Sequence, residues 1–386
     1  MFVALFSQPV FAQNDQQIYQ QSTEALYNLD FSIAESGFEN LTRRHPEDPQ
    51  YWNAVASTIW LKIIHDQQKL DMESFSGGAQ FGTRDSKDAL NPEDEKRLRS
   101  TVSAAMAKAN AILKTNPNHV PALYALGSSN AILASFEATA KRSYISAHSK
   151  AREARKLHAR VLELDPSFHD ARMAVGAYDY VVGAIPGGIR WFLRLFGVGA
   201  GDKPGGIRQL EIASSQGSMA RTDARMLLVV IYNREKQYDL SLNLIDELHS
   251  RYRRNFLFEL SKGAVYGKMK KWDDALRTYE DVLAKVTGKV DGYDRLREAK
   301  VLYLIATTNV ERLQFETALT GFGRVLSSKD STADEKGNAH LWMGKIFDSK
   351  KDRAMALQQY NALLSLDCDP NLKTEAQRYK RRPFGA

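Results

Sequence analysis

Few residues in this chain have the type and spacing to do chemistry. His148, His158 and His169 lie close together in sequence, and three imidazoles brought to one hairpin could ligate a metal. No His-Glu-x-x-His helix accompanies them, and lone histidines at helix ends serve mainly as caps or packing groups. His158 in particular stands where related segments carry an aromatic, so packing is its expected role. Gly197-Val-Gly-Ala-Gly-Asp-Lys203 has the glycine content of a phosphate-binding loop. The lysine does not directly follow a glycine, however, and no Ser or Thr comes next to hold magnesium. A hinge between helices is the expectation there. No Gly-x-Ser-x-Gly elbow is present, and Cys368 is the only cysteine, so it has neither a disulfide partner nor a zinc-ligating companion. These observations predict a protein that is not an enzyme, with no metal and no cofactor.

A different chemistry is offered by residues 183–206. Gly183-Ala-Ile-Pro-Gly-Gly precedes Ile189-Arg-Trp-Phe-Leu-Arg-Leu-Phe196, and a glycine-rich run follows to Gly206. So many large apolar side chains are too much for a solvated loop. One expectation is a plug that buries Ile189, Phe192 and Phe196. The other is a lip against a membrane or partner, formed by Arg190, Trp191, Phe192, Arg194 and Phe196, with both arginines on anionic head groups.

The elements that carry these residues are helices. After Gln16 apolar residues recur at three and four, as in Leu276, Tyr279, Val282 and Leu283, and the strand signal is almost absent. A spacing also repeats: a small residue, Ala twelve later, an aromatic four beyond. The copies are Gly263, Ala275, Tyr279; Ala306, Ala318, Phe322; and Gly344, Ala356, Tyr360. Nearer the N-terminus the second half recurs with a proline twelve after the Ala: Ala34, Phe38, Pro46; Ala105, Ala109, Pro117; Ala154, His158, Pro166. Small residues let two helices cross closely. The aromatic, one turn on, is expected to fill the gap to the next hairpin. The prolines end helices.

This pattern, with Trp272-Asp-Asp-Ala275-Leu and Asp352-Arg-Ala-Met-Ala356-Leu at the starts of second helices, resembles the tetratricopeptide repeat. The resemblance implies an all-α, right-handed superhelical solenoid of six or seven hairpins over most of residues 16–368. Insertions are expected at about 71–92 and 183–206. It also implies a non-catalytic scaffold that binds a protein or peptide in a concave groove lined by first helices. By that analogy the groove residues are Asn130, Tyr180, Tyr232, Asn233, Tyr266, Lys270, Asn309 and Arg312. The asparagines and tyrosines would bond peptide backbone, and the cations would pair with carboxylates. Residues 183–215 are also similar to the central segment of a eukaryotic tetratricopeptide family linked to the mitochondrial outer membrane and inclusion clearance at lipid droplets. There an apolar, proline-containing turn likewise precedes a glycine-bearing stretch.

With 53 Lys and Arg against 46 Asp and Glu the chain is mildly basic at +7, which argues weakly for anionic partners. Nucleic acid would want basic groups interleaved with exposed aromatics along one face. The clusters at Arg251–Arg254, Lys268–Lys271 and Lys380–Arg382 lie mostly at turns between hairpins, and an exported protein seldom meets nucleic acid, so it is not an expected partner. The apolar run Phe2–Phe6 and Val10-Phe11-Ala12 resemble the end of an export signal, although a basic n-region is missing. The expected layout is an export remnant or disordered N-terminus at 1–15, hairpins over 16–182, the insertion 183–206, hairpins over 207–370 and a basic tail over 371–386. The expected location is then periplasmic or otherwise exported, with the cytoplasm as alternative. The alternative function is a lipid-surface carrier using 183–206; an accessory subunit of an enzyme complex is a third.

Overall fold

Helix ends in this chain are marked by Asp or Asn followed by Pro. The computed structural model describes residues 13–67, 90–185 and 201–385. Asp48-Pro49, Asn91-Pro92 and Asp369-Pro370 open helices, while Asn116-Pro117 and Asp165-Pro166 close them. Asp48, Asn91, Asp202 and Asp369 accept hydrogen bonds from the first-turn amides of helices that begin at or next to a proline. Pro46, Pro117 and Pro166 each follow a helix by two residues.

Among the described residues there are seventeen α-helices. The first nine are α1 (Gln13–Tyr27), α2 (Phe31–Arg44), α3 (Pro49–Asp66), α4 (Pro92–Thr115), α5 (Val120–Thr139), α6 (Tyr144–Leu164), α7 (Arg172–Gly183), α8 (Lys203–Gln216) and α9 (Arg221–Arg234). The others are α10 (Tyr238–Arg251), α11 (Phe256–Lys268), α12 (Trp272–Thr287), α13 (Glu298–Glu311), α14 (Phe315–Ser327), α15 (Ala333–Ser349), α16 (Arg353–Ser365) and α17 (Pro370–Arg381). Short 3-10 turns at His169–Ala171 and Tyr293–Arg295 lead into α7 and α13. In chain order seven pairs pack as hairpins, α1 with α2, α3 with α4, α5 with α6, α7 with α8, α11 with α12, α13 with α14 and α15 with α16, within the six or seven expected. The spacing had hidden pairs such as α7 and α8, whose crossing glycines Gly176 and Gly206 lie far apart in sequence. The described residues form two units, one ending at Tyr232 and the next beginning at Asn233. Within each, helices pack on their neighbours in the chain.

The repeating residues form the seams. In the second unit Ala306, Ala318, Phe322 and Val325 are sealed in one cluster and Ala356, Tyr360 and Leu363 in the next. The aromatic packs both ways. Its ring lies against the small residue of its own hairpin, Tyr279 over Gly263 and Tyr360 over Gly344. It also reaches the next element, Phe322 with Ala339 and Ile346, and the Tyr360 ring centre 5.9 Å from that of Tyr379. His158 takes the same place over Gly127.

That close approach yields a paired expectation. A methyl at Gly344 would overlap the Tyr360 ring, whereas Gly323 on α14 has nothing within 4 Å. Gly344→Ala should therefore lose about 1–2 kcal/mol, overpacking outweighing the better helix propensity. Gly323→Ala should gain about 0.5–1 kcal/mol. Urea unfolding reads both, and two changes of the same sign would contradict the packing account.

Other boundaries shift. Residues 13–15 belong to α1, so only 1–12 of the expected N-terminal segment lie outside the described residues. Lys203–Gly206, read as hinge, is the first turn of α8, capped by Asp202. Gly201 just before it has φ +62 and approaches Gly183 so closely that a Cβ would overlap backbone. Residues 370–381, read mostly as tail, are helix α17. Most of the expected insertion at 71–92 lies outside the described residues; within it, residues 92 onward belong to α4.

Candidate functional site

Five of the eight expected groove residues are inside the protein. Asn130 and Asn309 are nearly sealed and each donates Nδ2 to a carbonyl one turn back, Leu126 O at 2.9 Å and Ile305 O at 3.0 Å. Tyr180 and Asn233 are buried, and buried Tyr232 donates its hydroxyl to Glu211 at 2.8 Å. Asn130, Asn309 and Tyr232 spend these groups on their own helix or a neighbour, whereas Nδ2 and Oδ1 of Asn233 are buried with no hydrogen-bond partner among the described residues. Burial keeps all five from a peptide. The groove assignment of these five is corrected accordingly. Tyr266 is half-buried. Lys270 and Arg312 are brought together, lining a shallow depression of about 510 Å³ with Lys271 and Trp272. Arg312 is bound there to Asp273 at 2.6 Å. Arg190, Trp191, Phe192, Arg194 and Phe196 lie outside the described residues.

The histidines do not converge. His148 bonds the Tyr178 hydroxyl at 3.2 Å, and His169 accepts from Arg172 at 3.3 Å. His158 is sealed, bonded to Ala154 O at 2.8 Å and edge-on to Tyr124; burial lowers it to about 4 against that hydrogen bond. No group of three or more potential ligands gathers among the described residues.

The face that does gather polar chemistry went unnoticed in the sequence. In the first unit, first helices α1, α3, α5 and α9 bring Tyr19, Tyr51, Tyr124 and Asp223 toward one another. Tyr19 lies 6.3 Å from Tyr51 and 5.5 Å from Phe38, ring centre to ring centre. Tyr27, at the end of α1, donates its hydroxyl to Asp223 in the first turn of α9 at 2.8 Å. This contact joins the first helix to the ninth, so the unit curls until its first helices face each other.

At Tyr19, Tyr124 and Asp223 the electrostatics are one-sided, whereas Arg44 opposes the carboxylates at Tyr51. Burial, then Asp223, Asp170 and Asp48, push the Tyr19 phenol up to about 12. Burial, then Asp170 and Tyr19, drive Tyr124 well above its usual range. Asp223 is itself pushed up to about 6 by burial, with the Tyr27 hydroxyl opposing. No cation contributes at any of these three groups. Asp170 is spent on the turn before α9, accepting from Ser218 N, Ser218 Oγ and Ala220 N, each at 2.8 Å. Asp48 caps α3 through Gln50 N at 2.9 Å. Asp223 holds only Tyr27, and both it and Tyr19 remain partly exposed. Such an arrangement can accept a hydrogen-bond donor or a cation.

Among the described residues no helix is long and apolar enough to cross a membrane. No protein-family model matches the sequence, and no curated protein matches it. Several solved structures are similar to this chain at a low level. The human IFIT1 dimer with m7Gppp-AAAA is 12% identical, with 96% of this chain and 88% of that one covered at a TM-score of 0.43. Yeast Tom70 is 11% identical, with 96% and 89% covered at 0.38. A tetratricopeptide repeat protein from Parabacteroides merdae is 12% identical, with 90% and 100% covered at 0.32. Similarity at this level carries nothing about ligands; the stacked-hairpin class rests on the packing described above.

Proposed function

We infer that this chain is a non-catalytic helical-repeat scaffold that holds a segment of a protein partner on the inner face of its first unit. A basic side chain of that segment sits between the Tyr19 ring and the Asp223 carboxylate. The observation that supports this is the charge on that face: every charged group acting on Tyr19 is a carboxylate, and Asp223 is the one not spent on a helix end. An ammonium or guanidinium placed there gains a charge-assisted hydrogen bond and a ring face. Stacked hairpins favour such use, because their first helices line one continuous surface. The export-like residues Val10-Phe11-Ala12 are consistent with a partner met in the bacterial envelope.

Calorimetry with a short arginine- and lysine-containing peptide tests this, with a glutamate-rich peptide of equal length as control. The basic peptide should bind, Asp223→Asn should weaken it about tenfold and Tyr19→Ala about fivefold. Equal affinity for parent and Asp223→Asn would refute the assignment.

A further inference from the structure

In the second unit the turns from first to second helix lie along one edge, and side chains chain them together. Arg312, in the turn after α13, is bound to Asp273 at the start of α12 at 2.6 Å. Lys350, after α15, pairs with Glu316 at the start of α14. Arg353, opening α16, donates to the carbonyls of Tyr379 and Lys380 at the end of α17, each at 2.8 Å. The edge is therefore continuous from the α11–α12 turn to the end of α17.

These contacts occupy Arg312, Lys350 and Arg353. Exposed along the same edge are Lys270, Lys271, Lys351, Lys380, Arg381 and Arg382, none with an ion-pair partner among the described residues. They outnumber the exposed carboxylates of the same turns, Asp273, Glu311, Glu316 and Asp352. Residues 233–386 hold 28 Lys and Arg against 22 Asp and Glu, so +6 of the chain's +7 lies in this part. Lys270 and Lys351 sit at φ +58 and +65, the position after a helix where glycine is the default. A lysine there gains from the helix dipole, which accounts for part of the choice. Leu313 occupies the same position of its turn at φ +60 and is 72% exposed, and for it the dipole offers nothing. Met355, in the first turn of α16, adds a second exposed apolar side chain.

We propose that this edge docks on an anionic lipid surface, with Leu313 entering the boundary of the acyl region and the lysines at head-group level. A leucine standing out from a row of cations has the form of an interfacial anchor: the apolar tip leaves water while long cationic side chains stay at the charged plane. Nucleic acid would call for exposed aromatics to stack its bases, and the exposed apolar groups of this edge are aliphatic. An acidic protein segment would satisfy the lysines and leave Leu313 in water.

Co-sedimentation of the full-length protein with vesicles tests it, comparing phosphatidylcholine alone with a mixture holding about 30% phosphatidylglycerol. Binding is expected to the mixture only, and to fall with salt. Lys270→Glu/Lys271→Glu/Lys351→Glu should weaken it about 100-fold or more. Leu313→Gly should weaken it about tenfold. It should leave thermal stability unchanged or raised, since glycine suits the left-handed turn. The proposal fails if the two vesicle types bind equally, if neither binds, or if Leu313→Gly binds like the parent while poly-glutamate displaces the vesicles. The last outcome would assign the edge to an acidic protein. Parent-like basic-peptide affinity in these variants separates a failure here from one of the inner-face reading.

Discussion

Arg353→Ala should destabilise the second unit by about 3–5 kcal/mol, the range for leaving a buried carboxylate without its cation. Asp348, near the end of α15, has a side chain only 1% exposed. It accepts from Arg353 at 2.8 and 3.2 Å, from the Tyr360 hydroxyl at 2.8 Å and from Phe384 N at 2.9 Å. Burial and Asp348 together push the Tyr360 phenol upward, so that hydroxyl stays a donor throughout the useful pH range. Arg353 does two things at once, neutralising Asp348 and holding the last carbonyls of α17. Its loss also loosens the neighbouring lock, in which Lys345 pairs with Glu375 at 2.9 Å and sits 4.7 Å from the Trp342 ring centre and 5.4 Å from that of Tyr379. The melting midpoint should drop by about 10 °C, and hydrogen exchange should speed up over 370–385 before the rest. Asp348→Asn/Arg353→Met should recover much of the loss, because an uncharged pair leaves no orphan charge. A cost under about 1 kcal/mol for Arg353→Ala would mean that the pair acts as an ordinary surface bridge.

What the sequence disclosed follows from where the responsible contacts lie. The small and aromatic residues of α11 to α16 meet within one hairpin, so a fixed spacing exposes them and the helical class with them. The tail over 371–386 was misread because Lys380-Arg-Arg382 dominates its composition. Leu372, Ala376 and Tyr379 nevertheless form a helical stripe, and Ala376 is sealed against the last hairpin. Asn130 and Asn309 show a different limit. Periodicity identifies a polar residue on a first helix, but only packing decides whether it faces water or bonds its own backbone. The Tyr19, Tyr27 and Asp223 face was out of reach for a related reason. It depends on how far successive hairpins rotate before α1 meets α9, and that small per-repeat rotation accumulates over residues far apart in sequence.

The acid response of the first unit should be set by buried His158 and half-buried Asp223 acting in opposite directions. His158 falls from an ordinary 6.5 to about 4, so the fold favours its neutral form. That contribution is complete above pH 6.5 and is lost as pH falls from there to about 4, amounting to about 3 kcal/mol. Asp223 rises from 3.8 to about 6, so the fold favours its protonated form. Stability is therefore gained as pH falls through 6 toward 3.8. Because Asp223 is partly exposed, that gain is discounted to about 1–2 kcal/mol. In the parent the two partly cancel. His158→Phe keeps an aromatic over Gly127, as Phe322 does at the matching position of its own repeat. Relative to the parent it should retain about 3 kcal/mol more stability between pH 7 and pH 4, whatever its effect at neutral pH. Asp223→Asn should shift the other way, losing about 1–2 kcal/mol more than the parent over the same interval. Urea midpoints from pH 4 to 7.5 give both slopes, and carboxylates common to all three proteins cancel in the differences. Parallel curves for the parent and His158→Phe would show that His158 titrates outside the core, contradicting its sealed place beneath Tyr124 and Gly127.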